Sequence, residues 1–558
     1  MGRAKYCAKY CAKYCAKCCG ALCRTGRRAR CKDFRKSLPP DGMPMTPIRL
    51  MRAFATVGGW TMASRILGFV RDILIARFLG AGAASDAFFV AFSLPNMFRR
   101  FFAEGAFNAA FVPMFTRKLE QNAGDAQDFA RDAYWLMASF LIAFTCLALF
   151  LMPFLVWIMA AGFTADDRFD LAVVYGRIAF PYILLISLTA LISGMLNATG
   201  RFAAAAAAPA LLNVVFILGL TLAALQGWPV GLVLAWSIPL GGIAQLVVVF
   251  YALRRAGFSL RIRRPRLTPD LKRMLIIAVP AILAGGVTQI NLVVGRQVAS
   301  FTDSAISWLS YADRLYQLPL GVVGIAVGVV LLPELARRLR AGEDQAAREA
   351  FSRGMEFALV LTLPAAVALV VIAEPLISVL FQRGAFSADD AAATAVALAI
   401  YGAGLPAFVL HKVLQPLYFA RGDTKTPFRY ALVAMVVNAA IAVGLMPLVG
   451  FLSAALGTTL AGWAMVWQLW RGARGMGDAA RPDARLFDRL WRIVLASLAM
   501  GAAIWVAAVL LDAPLHGSLR GLALLAVVSV GAVSYFGTGA LIGAFRMADF
   551  KSAMRKGR

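Results

Sequence analysis

Fourteen apolar segments of about 20 residues or more dominate the sequence from Met45 onward. About 20 apolar residues of helix cross a bilayer. Only helices or closed barrels satisfy their backbone hydrogen bonds in lipid, and these segments are too long and too uniformly apolar for barrel strands. The sequence therefore predicts an all-α polytopic membrane protein with fourteen transmembrane helices. The segments lie near 56–79, 84–115, 134–161, 171–198, 204–225, 229–253, 274–300, 306–333, 354–382, 390–419, 428–447, 451–470, 490–511 and 521–545.

The composition excludes an ordinary soluble domain. Of the 558 residues 61% are hydrophobic and only 15% are charged, whereas soluble domains are about half apolar and a quarter charged. The net charge of +28 would suit a nucleic-acid binder if it were spread over a polar surface. Here the charges fall in short clusters between apolar segments, so we expect no nucleic-acid partner.

The basic residues fix the direction of the segments. With a cytoplasmic N-terminus, 31 Lys and Arg fall in or beside the cytoplasmic connections and tail, against three on the other side, Arg168, Arg383 and Arg520. This bias follows the positive-inside rule. We therefore expect a multi-pass protein of the cell inner membrane with both termini in the cytoplasm.

Residues 1–44 differ from the rest of the chain. They hold seven of the eight cysteines and a near-repeat, YCAKYCAKYCAK. The spacing fits no standard zinc pattern and no His is present, so we expect no metal site. Without an apolar stretch the segment is not a signal peptide. We interpret it as a disordered extension or as the result of a misassigned start codon, with Met45 as the natural start.

Two halves of the remaining chain resemble each other at a shift of about 225 residues. Asn213 and Asn438 correspond, as do Arg71 and Arg296. The shift spans six segments, an even number, so both copies enter the membrane in the same direction. Transporters built this way bind substrate between two lobes near the midplane. The predicted domains are an N-terminal six-helix lobe (45–254), a basic cytoplasmic linker (255–273), a C-terminal six-helix lobe (274–473), and helices 13 and 14 with a basic tail (474–558).

Several charged residues lie inside the apolar segments. Each costs about 2.5–3.5 kcal/mol or more at a helix centre facing lipid, so they should face a protein interior or water. Arginine predominates, and arginine binds phosphate bidentately and keeps its charge when buried. An exporter of cations would more naturally show unpaired acids. The candidates for a cationic cavity are Arg65, Arg71, Asp72, Asp86, Arg99, Arg100, Glu104 and Arg314. Arg296, Asp313 and Lys412 are further charges in the second lobe.

Four stretches carry a resemblance to a known family. SRILGFVRDILIARFLGAGAASDAFFVAFSLPNMFRRFFAEGAFNAAFVP (64–113) resembles the start of the lipid II flippases of the MurJ/MviN family. FPYILLISLTALISGMLNATGRF (180–202), SYADRLYQLPLGVVGIAVGVVLLP (310–333) and DTKTP (423–427) resemble the same family. The resemblance covers the chain from Met45 to the C-terminus.

The resemblance implies a fold of the multidrug/oligosaccharidyl-lipid/polysaccharide exporter superfamily. It implies movement of lipid II, a polyprenyl diphosphate-linked disaccharide-pentapeptide, from the cytoplasmic to the periplasmic leaflet for cell-wall synthesis. The arginines and acids of SRILGFVRD, SDAFF, FRRFFAEGAF and YADR are the candidates named above, and would line the central cavity of a transporter that works by alternating access. No enzymatic activity and no cofactor is implied; membrane lipids and cell-wall synthesis proteins are the other expected partners.

Alternative functions remain open on the residues alone. A drug or cation antiporter of the same fold would need unpaired intramembrane acids, and a flippase for another polyprenyl-diphosphate-linked glycan would use the same arginines. A polyprenyl-diphosphate phosphatase would need a nucleophile or base cluster, which is not evident. A scaffold without transport leaves the buried arginines unexplained. The chain has no Walker A pattern, so the driving force is an ion gradient, the membrane potential or consumption of product.

Overall fold

The structure, a computed structural model, describes residues 47–100, 106–261 and 264–544. Within those ranges the chain forms α-helices and two short 3-10 turns, and no β-strand. The extension 1–44, Glu104 and the tail from residue 545 lie outside the described residues. The helices are α1 (Pro47–Leu79), α2 (Ala83–Arg99), α3 (Ala106–Gln121), α4 (Ala123–Phe150), α5 (Met152–Met159), α6 (Arg168–Ala179), α7 (Tyr182–Ala198), α8 (Phe202–Gln226), α9 (Val230–Arg255), α10 (Pro269–Ala299), α11 (Ala305–Arg340), α12 (Asp344–Val371), α13 (Ala373–Phe381), α14 (Ala388–Phe419), α15 (Lys425–Gly444), α16 (Met446–Val449), α17 (Leu452–Ala473), α18 (Ala484–Leu510), α19 (Asp512–His516) and α20 (Arg520–Leu541).

The predicted fold class is confirmed. Each predicted segment coincides with one helix or with two consecutive helices, which is consistent with fourteen crossings. In the described ranges nine helices are long and apolar enough to cross a membrane. Some crossings are interrupted at prolines, which lack the N–H of an internal helical hydrogen bond: Pro153 follows the break between α4 and α5, and Pro181 separates α6 from α7.

The helices form two lobes with the same internal packing. In lobe 1 (α1–α9), α8 packs between α1 and α9; in lobe 2 (α10–α17), α15 packs between α10 and α17. The asparagines of the repeat lie at equivalent places. Asn213 of α8 donates to the carbonyl of Ser64 in α1 (2.9 Å), and Asn438 of α15 donates to Oδ1 of Asn291 in α10 (3.1 Å). Each asparagine thus connects the first membrane crossing of its lobe to the fifth.

Of the last two crossings, α18 and α20, the first is joined to lobe 2 through a buried carboxylate, and α20 packs against α18. Glu356 of α12 is 7% exposed and accepts from Arg353 (2.7 Å) and from Arg489 of α18. Arg485 lies 3.7 Å away. Because Arg489 is itself buried, neither charge is well solvated without the other. This ion cluster therefore joins α18 to α12.

Replacement of Glu356 by alanine is expected to destabilise the protein by about 3–5 kcal/mol, because it leaves Arg489 buried without its carboxylate. Glu349→Ala is the matched control, since Glu349 is on the same helix and exposed, and it should change stability by less than about 0.5 kcal/mol. The measurement is thermal unfolding of the purified proteins in detergent. Equal stability of the two variants would contradict the anchoring role.

Candidate functional site between the lobes

Arg71 and Asp72 form a fixed ion pair in the middle of lobe 1. Both residues are 7% exposed. Nε and Nη2 of Arg71 donate to Oδ1 of Asp72 (3.0 and 2.7 Å), and Nη1 donates to Oδ1 of Asn213 (2.8 Å). The guanidinium also lies over the ring of Phe216, 5.3 Å from its centroid. Three hydrogen bonds and a ring contact therefore define the orientation of Arg71.

Arg314 brings lobe 2 to the same carboxylate. Its Nε lies 3.4 Å from Oδ2 of Asp72, and its side chain is 36% exposed although it stands in the interior of α11. Asp72 therefore faces one guanidinium from each lobe. One carboxylate for two guanidiniums leaves a net positive charge, and the weaker of the two contacts is the one that crosses between the lobes.

Arg65 extends this cationic site along α1. It lies six residues before Arg71, about 9 Å along the helix axis. A Cβ on Gly321 of α11 would be 2.7 Å from Nη1 of Arg65, and Gly321 follows Arg314 by seven residues. The helices α1 and α11 therefore run in opposite directions past each other, with Arg71 facing Arg314 and Arg65 facing Gly321. Among the described residues Arg65 has no hydrogen-bond or ion-pair partner.

Asp86 of α2 is not part of this cationic site and packs against the start of α11. It is fully buried, and its Oδ1 accepts from the backbone N (2.9 Å) and the hydroxyl (2.6 Å) of Ser307. The hydroxyls of Ser85 and Ser307 are 2.8 Å apart. A carboxylate at a helix N-terminus is favoured by the free N–H groups and the helix dipole. Asp86 of lobe 1 thus caps a helix of lobe 2, away from the Arg71 pair.

Further contacts between the lobes lie on the same face as the contacts of Ser85 and Asp86 with Ser307, opposite the basic connections. We call this whole set of contacts the seal. The backbone N of Gly162 donates to the hydroxyl of Ser300 (3.0 Å), and Tyr311 donates to the carbonyl of Gly80 (2.9 Å). The remaining hydrogen bonds of the seal run from Ala161 N to Gln297 Oε1 (3.0 Å) and from Ala385 N to Arg77 O (2.9 Å). Each bond joins lobe 1 to lobe 2.

Arg168 is the charged centre of the seal and was not among the predicted site residues. It is 6% exposed and lies 2.6 Å from Asp166, 3.6 Å from Asp86 and 2.9 Å from Asp303 of lobe 2. Its hydrogen bonds hold the pKa of Asp166 below the ordinary value, so that carboxylate stays ionised. The sequence did offer a signal for Arg168. It is one of only three basic residues in the predicted periplasmic connections, where the positive-inside rule makes basic residues rare.

Gly162 has no space for a side chain in the closed seal. A Cβ there would be 2.5 Å from the backbone carbonyl of Ser300, so Gly162→Ala is expected to force the lobes apart and raise the accessibility of a cysteine placed at Ser307. Gly295→Ala is the control, because a Cβ there meets nothing within 4 Å. Labelling by a membrane-impermeant maleimide measures both; equal labelling would contradict the closed seal.

The remaining predicted residues lie at the end of α2. Nε of Arg99 donates to Oδ1 of Asn96 (3.2 Å). Arg100 is exposed and lies within electrostatic range of Asp313 in lobe 2. Glu104, their predicted companion, lies outside the described residues. Arg100 therefore adds a lobe 1 cation to the part of the interface that holds Asp313 and Arg314.

Two lobes of membrane helices with charged residues at their interface are the architecture of two-lobe secondary transporters. Solved structures agree. The chain superposes on "Lipid II flippase MurJ, inward closed conformation" with a TM-score of 0.72 and 25% identity, covering 87% of this chain and 98% of that one. An inward-facing multidrug resistance MATE family transporter gives a TM-score of 0.64 at 14% identity, over 75% and 95% of the two chains, which shows a shared fold.

Sequence comparison defines the family. The profile of the family described as "Lipid II flippase MurJ" matches residues 75–519. The probable lipid II flippase MurJ of Rhizobium tropici is 49% identical over 426 residues, 75% of this chain and 80% of that protein. That of Rhizobium meliloti (strain 1021) is 43% identical over 523 residues, 91% and 97% of the two chains. The chain belongs to the lipid II flippase MurJ family, as its motifs predicted.

Proposed function

We propose that this protein moves lipid II from the cytoplasmic to the periplasmic leaflet of the inner membrane. The observation that carries the proposal is the sharing of Asp72 between Arg71 of lobe 1 and Arg314 of lobe 2. Family membership supports lipid II as the substrate. Its diphosphate offers phosphate oxygens that guanidinium donors bind bidentately.

Without substrate, the carboxylate of Asp72 lies against the guanidinium groups that would bind the substrate anion. Arg71 is held by Asp72 and Asn213 before substrate arrives, so little ordering is required on binding. Arg314 contacts Asp72 at 3.4 Å through one nitrogen, and its other donors are available to a phosphate oxygen. Arg65, six residues nearer the N-terminal end of α1 than Arg71, would meet the diphosphate on entry from the cytoplasm. The polyprenyl tail stays in lipid while the polar head occupies the space between the lobes.

We propose that the termini and basic connections lie in the cytoplasm. The seal then faces the periplasm and closes the side on which lipid II would be released. Release requires the lobes to separate there, which breaks the bonds from Asp86 to Ser307 and from Arg168 to Asp303. We propose that residues 45–254 move as one body against residues 274–473, and that the C-terminal pair of helices moves with the latter through Glu356.

The interface charges disfavour cation export by the same fold. Arg71 and Arg314 share one acid, and Arg65 adds a further cation, so the site attracts anions. We propose transport without bond chemistry, because movement of an intact lipid needs no nucleophile. Consumption of lipid II by cell-wall synthesis proteins outside would draw the reaction forward. A glycan on another polyprenyl diphosphate would meet the same residues.

The test is the orientation of lipid II in cells depleted of this protein. Lipid II is expected to become inaccessible to a periplasmic probe that cleaves its head group, and re-expression should restore cleavage. An undecaprenyl-diphosphate-linked O-antigen unit, followed in the same cells, separates the alternative substrate; export of a cationic dye separates the antiporter. Unchanged lipid II cleavage after depletion would overturn the proposal.

A further inference from the structure

Arg296 of α10 is the counterpart of Arg71 in the internal repeat, yet its surroundings differ. Arg71 directs all three guanidinium nitrogens to hydrogen bonds with Asp72 and Asn213. At the same shift of 225 residues the partner of Arg296 would be Gln297, which carries no charge and accepts instead from the backbone of Ala161. The repeat therefore places the same side chain in lobe 2 without the acid that neutralises it in lobe 1.

In lobe 2 the counterpart of the asparagine that orients Arg71 has a different hydrogen-bond partner. Asn438, the counterpart of Asn213, donates to Asn291, and its Oδ1 has no hydrogen-bond partner. Nε and Nη1 of Arg296 are buried and likewise have no partner in the structure. Buried guanidinium donors without acceptors are strongly unfavourable. Water or a bound group is therefore needed to complete them.

The neighbouring charges show which kind of group fits. Arg296 lies within electrostatic range of Arg314 and of Asp313, but it forms no ion pair with either residue. Asp313 lies within electrostatic range of both guanidiniums, but it accepts from Gln317 and forms an ion pair with neither. Two guanidiniums near one carboxylate leave a net positive charge, which a further anion would neutralise. Arg314 already belongs to the candidate diphosphate site. The open donors of Arg296 therefore point to a second contact for the same anion.

We propose that Arg296 binds a phosphate oxygen and is a lobe 2 substrate-binding residue, a role that rests on the proposed function. The diphosphate of the polyprenyl-linked substrate then spans Arg314 and Arg296. Arg296 is one turn before Ser300, which bonds Gly162 in the seal. It is therefore placed to hold the diphosphate close to the side of release.

Binding to the full chain in detergent tests the assignment, with lipid II and inorganic pyrophosphate as the two probes. Arg296→Gln should weaken lipid II binding about tenfold, the value of a hydrogen bond to a charged group. Gln297→Asp should weaken it similarly, because it restores beside Arg296 the acid that Asp72 provides in lobe 1. Gln297→Asn has the same shape as Asp without the charge and loses the same contact with Ala161, so weaker binding by Gln297→Asp than by Gln297→Asn measures the effect of the charge. Arg474→Gln removes an exposed arginine immediately after α17 and should bind as wild type.

Thermal unfolding separates binding from a structural role. An arginine that supports the fold would lower the melting temperature when replaced, whereas Arg296→Gln removes an unpaired buried charge and should leave it equal or higher. Added pyrophosphate should raise the melting temperature of wild type but raise that of Arg296→Gln less. Lipid II affinity within twofold of wild type for Arg296→Gln, or a lowered melting temperature, would overturn the assignment.

The two probes distinguish the inference from the proposed function. If wild type binds pyrophosphate through Arg296 but does not bind lipid II, the anion site stands and the lipid II proposal fails. If lipid II binding is insensitive to Arg296 while pyrophosphate binding depends on it, the site serves free phosphate and the substrate role is wrong. Binding of neither probe by wild type would contradict both.

Discussion

Arg314→Ala is expected to reduce lipid II transport about tenfold to a hundredfold and to abolish support of growth. Under the proposed binding role, the substitution removes charge-assisted hydrogen bonds to the diphosphate, each worth about 1.5–3 kcal/mol. The fold should be retained, because Asp72 keeps its two bonds from Arg71. Arg314→Lys should remain impaired, since lysine preserves the charge but lacks the planar guanidinium. Complementation of a depletion strain, with the amount of inserted protein measured, gives the result.

Arg71 needs a different design because its removal leaves Asp72 buried. Arg71→Ala alone should lower both stability and transport, since a buried charge that loses its partner costs about 3–5 kcal/mol. The double variant Arg71→Ala/Asp72→Asn removes the stranded charge and should restore stability without restoring transport. Wild-type transport by a stable double variant, or by Arg314→Ala, would contradict a binding role for these residues.

A disulfide across the seal is expected to stop transport completely. The hydroxyls of Ser85 and Ser307 are 2.8 Å apart, so cysteines at these positions place their sulfurs close to the bond length of about 2.05 Å. In a background with the native cysteines replaced by serine, oxidation of Ser85→Cys/Ser307→Cys should block transport, because the lobes can no longer separate on this face. Reduction should restore it.

A disulfide inside lobe 1 provides the matched control. A Cβ on Gly219 of α8 would lie 3.8 Å from Cβ of Ser237 in α9, which is the usual spacing in a disulfide. Oxidised Gly219→Cys/Ser237→Cys should transport as well as its reduced form, because both positions belong to one lobe. Full activity of oxidised Ser85→Cys/Ser307→Cys, with its disulfide intact, would rule out opening of the seal as a step of transport.

The membrane crossings and the lobes could be predicted because lipid imposes strict rules. Apolar length and the distribution of arginine reflect the cost of exposing polar groups to hydrocarbon, and neither depends on tertiary contacts. The same cost marked Arg71, Asp72 and Arg314 as residues facing the protein interior. The structure places Arg71 and Asp72 in one buried ion pair. Their binding role remains a prediction.

The seal could not be predicted in the same way. Ser307, Ser300 and Asp303 are polar residues at or near helix ends, where such residues are ordinary, and their contacts depend on how two distant helices are aligned. Asp86 illustrates the limit: its charge inside an apolar segment indicated a special environment, but only the packing of α2 against the start of α11 shows that it caps a helix. Arg168 was missed because it falls outside the predicted apolar segments, in the connection before 171–198, whereas the structure places it at the first position of α6.

The most direct measurement of the central claim is lipid II translocation in vesicles that contain only this purified protein. Wild type should make lipid II of the inner leaflet accessible to an impermeant head-group-cleaving probe outside, and Arg314→Ala, inserted to the same level, should do so about tenfold to a hundredfold more slowly. Translocation by both proteins at the same rate would contradict the account, because lipid II would then cross without the guanidinium that lobe 2 contributes to Asp72.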